Sequence, residues 1–318
     1  MPNVRPPWFR RPIGSTLLAA AAALLTAAPT ARTPGVAERL GYPADAKLLI
    51  LHADDLGVAH SADSASFAAL DDGAVSSASA MVPTPWIAEV AAYARAHPGA
   101  DLGLHLTLTS EWATYRWGSV APADAVRSLL DSAGTFWRDA PRVAAAARPA
   151  EAERELRAQV DRALALGIRP THLDSHMGAL FTTPALAAAY VRVARAYGLP
   201  FLAVRGDPRA RWLPGLAARD VLLDAVVTAG PEVPAAEWEA FYVRAVAGLR
   251  PGLTEMIVHL GRDDAELRAV TAGHADYGAA WRQRDADVVT GAAFRRALRE
   301  HGVTLVTWRE LQRRAAAR

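Results

Sequence analysis

The chain has 318 residues, 52% hydrophobic and 21% charged, enough for a full core in one large or two small domains and too apolar for a disordered chain. Its 35 basic and 33 acidic residues give a formal charge of +2, and the sequence pI is 9.1. A nucleic-acid footprint is nevertheless excluded: Lys47 is the only lysine, Arg5, Arg10, Arg11 and Arg32 stand in an acid-free leader, and without residues 1–32 the balance is 31 basic to 33 acidic. The absence of cysteine removes disulfides, thiolate catalysis and a lipoprotein anchor.

Residues 1–32 read as a cleaved signal peptide. Arg10 and Arg11 supply the positive region, Leu17 to Ala28 the apolar run, and Ala28–Ala31 the small-residue site. A run of about a dozen residues falls short of the ~20 that span a bilayer, so no stable membrane span is expected. Export to the periplasm or beyond is the expected destination. Residues 33–45 read as a short linker and 46–318 as a single domain.

Past the linker, short apolar runs alternate with longer segments of helical period. Strands are predicted at Lys47–Ala53, Ala74–Val82, Asp101–Thr109, Pro170–His176, Pro200–Arg205, Leu253–His259 and Val303–Thr307. Helices are predicted at Ala62–Asp71, Trp86–Ala96, Ala150–Leu166, Pro184–Tyr197, Ala235–Leu249 and Ala292–His301. Strands alternating with helices imply a parallel sheet covered on both faces, hence an α/β fold. Seven strands in about 270 residues fit a TIM-like (β/α) barrel, distorted or seven-stranded, better than two domains. Residues 110–149 and 206–234 are the least regular, and both follow predicted strand ends.

The polar residues interrupting the apolar strands carry the chemistry. Leu49-Ile50-Leu51-His52-Ala53 runs into Asp54-Asp55, at the strand end where barrels keep their active sites. Strand alternation would send the two carboxylates to opposite faces and into different roles; a helix-capping or turn pair before Leu56-Gly57 is the structural alternative. His105 stands inside Leu102–Leu108, where a lone histidine also fits a satisfied core residue. His172, Asp174 and His176 share one face of a third strand by the period of two, a costly set to bury without a metal or catalytic network. His259 ends a fourth apolar strand, Leu253–His259, in the run Glu255–Gly261. Imidazoles and carboxylates brought to one rim suit a catalytic divalent ion with about three protein ligands. His52 reads as an ordinary residue back inside the first strand, and His60, His97, His274 and His301 as loop or helix-end residues.

The ordered motifs Ala53-Asp54-Asp55-Leu56-Gly57, Gly103-Leu104-His105-Leu106-Thr107-Leu108, Thr171–His176 and Thr254–Gly261, with Gly73–Ala78, resemble those of the YdjC-like carbohydrate deacetylases, relatives of the polysaccharide deacetylases. The resemblance runs from about Lys47 to Leu311. It implies one divalent ion, Mg2+ or Zn2+, held by Asp55, His105 and His176, with Asp54 as general base and His259 as general acid. It implies removal of N-acetyl groups from an amino sugar or oligosaccharide, releasing acetate. Asp174 and His172 become substrate-binding or supporting residues, and Arg284, in a loose R-x-x-E-L match, a partner for Asp54. The chain departs from the family pattern at Leu56, at Met177-Gly178 and at Leu260. Expected partners are an N-acetylated carbohydrate and no nucleic acid, and a homodimer is compatible with the reading. A metal-dependent esterase or phosphoesterase could use the same ligands, and an exported carbohydrate-binding protein could keep the pocket without turnover. An inverting glycosidase fits poorly, since adjacent carboxylates do not straddle a substrate by the required ~6.5–9.5 Å.

Overall fold

The structure, a computed structural model, describes residues 35–216 and 220–316. The leader read at 1–32 lies outside the described residues. Among the described residues seven strands form one parallel sheet: β1 (Lys47–Leu56), β2 (Ser77–Ala80), β3 (Leu102–Leu106), β4 (Leu173–Ser175), β5 (Ala225–Val227), β6 (Gly252–Val258) and β7 (Val303–Leu305). The order is β4-β3-β2-β1-β6-β5. The upper part of β1 pairs with β2 from His52 onward, while its lower part pairs with β7 over Lys47–Leu49. Parallel pairing needs crossover helices, and these cover the outer face of the curled sheet.

The segment predicted as a strand at Pro200–Arg205 forms no ladder. It runs between β4 and β5 with isolated parallel bridges, Leu173 to Phe201 and Val204 to Leu223. The sheet's curl continues through this segment, giving a TIM-like α/β barrel that is distorted on that side. The strand that does form there, Ala225–Val227, lies inside a stretch read as irregular, because three half-buried residues leave little pattern to find. Of the helices not predicted, Ala279–Thr290 matters most: its buried face includes Arg282 and Asp285, so apolar periodicity fails to mark it.

Side chains alternate along the strands between an outer layer under the helices and the barrel interior. On β1, Leu49, Leu51 and Ala53 face the helices, while Leu48 and Ile50 join Leu253, Val306, Trp308 and Leu311 in a separate apolar cluster at the barrel floor. Part of the segment read as a linker belongs to this floor: Val36–Arg39 is a helical turn, and Val36, Ala37 and Leu40 are buried against it. Above the floor the interior becomes polar, with His52 and Asp54 following on the same face of β1.

Candidate active site

The C-terminal ends of the strands open into a cavity of about 860 Å³, within the range of small-molecule sites. Asp54, Asp55, His105, Asp174, His176 and His259 all line it. The adjacent carboxylates do not diverge as alternation predicts. Asp55 adopts φ 70, and the β1–β2 register shifts between Ala53 and Leu56, so the strand bulges and turns both acids toward the cavity. Holding a non-glycine residue in that conformation costs on the order of 1–3 kcal/mol, which concentrates at functional sites.

Asp55, His105 and His176 converge. Asp55 Oδ1 lies 3.4 Å from His105 Nε2 and 3.3 Å from His176 Nδ1, and among the described residues no hydrogen bond satisfies this buried oxygen. Its other oxygen accepts a 2.6 Å hydrogen bond from Arg282 Nη2. Asp174 Oδ1 takes His105 Nδ1 at 2.6 Å, while Glu111 Oε2 lies 3.1 Å from His176 Nε2. Each imidazole therefore has one nitrogen held by a carboxylate and the other turned toward Asp55, the arrangement that orients metal-ligating histidines.

The electrostatics agree with a cation site. Burial alone would disfavour charge here. Against it, Glu111 and Asp55 raise His176 to about 10, and Asp54 and Asp174 raise His105. Asp55 is held well below the usual carboxylate range despite burial, by Arg282 and His176. The pocket thus draws positive charge onto its imidazoles, the demand that a divalent cation would meet. An unsatisfied carboxylate oxygen facing two imidazole nitrogens is the donor set such an ion takes.

Across from this trio stand Asp54 and His259, with Asp54 Oδ2 3.9 Å from His259 Nε2. Burial lowers His259 to about 4, and its Nδ1 has no hydrogen-bond partner among the described residues. Its ring packs edge-on against Tyr277, and its backbone N–H donates to Asp285 Oδ2 at 2.8 Å. Asp285 also accepts from Trp238 and Tyr242, so a buried carboxylate fixes the turn that presents His259.

Arg284 does not meet Asp54. Its guanidinium lies 4.5 Å over the Trp238 ring. The arginine that reaches the aspartate pair is Arg282, and it pairs with Asp55. Two residues turn about 200° around a helix, so the two arginines leave opposite faces. The same R-x-x-acid spacing is met by Arg282 and Asp285. His172 also misses the cavity: it is fully buried, stacked 5.1 Å from Trp308. A Cβ at Gly103 would come within 2.3 Å of the His172 ring, so glycine is required there. His274, read as an ordinary loop residue, lines the cavity. Sequence reasoning also missed Glu111, Arg282, Asp285 and His52. His52 carried a usable signal, two residues before Asp54 on the same strand face, and Arg282 and Asp285 carried the R-x-x-acid spacing.

Fold and site together define a (β/α)-barrel enzyme class with an Asp-His-His cluster at the C-terminal strand ends whose donors suit a metal ion. The YdjC-like protein family matches residues 48–300, and the chain belongs to that family. A Thermus thermophilus protein named carbohydrate deacetylase is 35% identical over 286 residues, 86% of this chain and 97% of that protein. A chitooligosaccharide deacetylase of Serratia marcescens is 33% identical over 172 residues, 52% of this chain and 63% of its own. A crystal structure from Enterococcus faecalis, described as a candidate cellobiose-phosphate cleavage protein, superposes with TM-score 0.71 at 25% identity, covering 84% of this chain and 99% of that one.

Proposed function

We propose that this chain is a divalent-metal-dependent carbohydrate deacetylase that hydrolyses the N-acetyl group of an amino sugar or oligosaccharide. The observation that carries this reading is the unsatisfied Asp55 Oδ1 facing His105 and His176, with Asp54 and His259 opposite. Asp55, His105 and His176 would hold the ion, Mg2+ or Zn2+. Bound there, it would supply Lewis acidity, making water more acidic and the amide carbonyl more electrophilic.

The chain's own residues do the rest. Asp54 accepts the proton from the attacking water, and His259 gives a proton to the departing amine. Because burial keeps His259 neutral in the free protein, its proton arrives during turnover, and Asp54 Oδ2 at 3.9 Å is the near source. Acetate and a free amino sugar leave. Tyr277, half-buried on the cavity wall, offers aromatic surface to the sugar, while Trp112 is buried. Among the described residues no helix is long and apolar enough to cross a membrane. The leader sequence supports an exported enzyme, for which N-terminal sequencing should show Met1 removed and a start near residue 32.

The test is acetate release from N-acetylated sugars and from acetyl esters, by metal-replete and chelated protein. Amide turnover lost on chelation and restored by Mg2+ or Zn2+ supports the proposal. Turnover of esters alone would reassign the chain as an esterase, and turnover of neither would leave a binding protein. His259→Ala sharpens the roles: a general acid is needed by an amide far more than by an activated aryl ester, so equal losses on both would contradict its role.

A further inference from the structure

We propose that His52 is a positioning residue: it selects which oxygen of Asp54 acts as the base and, through Asp174, holds His105 in its ligating tautomer. The inference rests on the reading of Asp54 as the base. His52 lies on the inward face of β1, 1% exposed, beneath the cavity. Its Nε2 is 3.1 Å from Asp54 Oδ1, 3.2 Å from Asp174 Oδ2 and 3.0 Å from Ser79 Oγ. Its Nδ1 is 3.0 Å from Ser77 Oγ and 3.5 Å from Glu255 Oε1.

Ionised carboxylates only accept, so two of them at one ring nitrogen require that Nε2 carry the hydrogen. That single N–H is shared between the base and Asp174. The consequence for Asp54 is directional. With Oδ1 engaged by His52, Oδ2 is the oxygen left facing the site, 3.7 Å from His105 Nε2 and 3.9 Å from His259 Nε2. The consequence for His105 follows the same logic. Asp174 Oδ1 at 2.6 Å puts the hydrogen on His105 Nδ1 and leaves the Nε2 lone pair free for a cation. His52 itself is wedged: the His172 ring packs edge-on at 5.0 Å and is in turn stacked on Trp308. One buried imidazole thus ties the proton acceptor to the orientation of a metal ligand.

The experiment compares His52→Met, which removes the donor, with His52→Gln, whose amide nitrogen can stand near the Nε2 position. Each is assayed for kcat and KM and, without turnover, for Zn2+ affinity by chelator competition. His52→Met should lose about 10–100-fold in kcat and about tenfold in Zn2+ affinity, with KM within about threefold, and His52→Gln should recover most of both. In an Asp54→Asn background the kcat cost of His52→Met should fall below about threefold, while the affinity loss persists, because the base it orients is gone. Should His52→Met not fold, His52→Asn replaces it: its shorter amide cannot reach both carboxylates, and the same losses are expected. Equal impairment of the Met and Gln variants, or a kcat cost undiminished beside Asp54→Asn, would overturn the proposal. Near-full activity of Asp54→Asn would instead overturn the reading of Asp54 as base. A crippled Asp54→Asn with an unimpaired His52→Met would overturn the role of His52 alone.

Discussion

The lower and upper halves of the barrel interior are built on the same strand faces with opposite chemistry. Below, Leu48 and Ile50 of β1 and Leu253 of β6 meet Trp308 and Leu311 in a wholly apolar cluster. Two residues further along the same faces come His52 and Glu255, and two further again Asp54. Each buried Leu or Ile of the floor stabilises the fold by about 1.5–3 kcal/mol. The layers above do the reverse. Burial there raises Glu255 to about 7, and that carboxylate keeps one oxygen without a partner among the described residues although Trp308 donates to the other. The floor thus carries stability, and the upper layers hold charges where a cation and a substrate can use them.

If that division holds, substitutions in the two halves should fail in different measurements. The largest effect is expected from His105→Ala. It should abolish metal retention and remove several kcal/mol of transition-state stabilisation, on the order of 10³–10⁵ in rate, with the melting temperature of the apo protein little changed. Metal analysis after dialysis, beside acetate-release kinetics, checks it. Next comes Asp54→Asn, which should keep its metal and lose roughly 10²–10⁴ in kcat, since an amide cannot take the proton. Ile50→Ala lies two layers below Asp54 on the same face. It should cost about 2–5 kcal/mol of stability in denaturant titrations while the folded fraction keeps its specific activity. The smallest effect belongs to Arg284→Ala. Stacked on Trp238 away from the carboxylates, it should shift kcat by less than about threefold, and a loss beyond tenfold would restore it to the site.

The same contrast explains what was legible in the sequence. Leu49–Ala53 and Leu253–Val258 announce buried strands because parallel strands are apolar on both faces, and Asp54, Asp55, His105, His176 and His259 stand out against them. The parallel α/β barrel followed from that alternation. Where the interior itself is polar the contrast vanishes. His52 is marked in the sequence only by its place two residues before Asp54, and its proposed role comes from Ser77, Ser79, Asp174 and Glu255, which the fold gathers around it. Arg282 and Asp285 sit on a helix whose buried face is partly charged, so no apolar stripe gave the helix away. The common orientation of Asp54 and Asp55 depends on a bulge and a positive φ, which alternation rules cannot foresee.

On the proposed function, the upper layers gather Asp55, His105 and His176 around one divalent ion. Anomalous diffraction from crystals grown with Zn2+ or Co2+, recorded at the metal edge, tests it directly. A single strong peak is expected within about 2.0–2.3 Å of a carboxylate oxygen of Asp55 and of one imidazole nitrogen each from His105 and His176. A peak among His52, His172 and Asp174, the neighbouring buried group with suitable donors, would contradict it, as would no peak within the cavity.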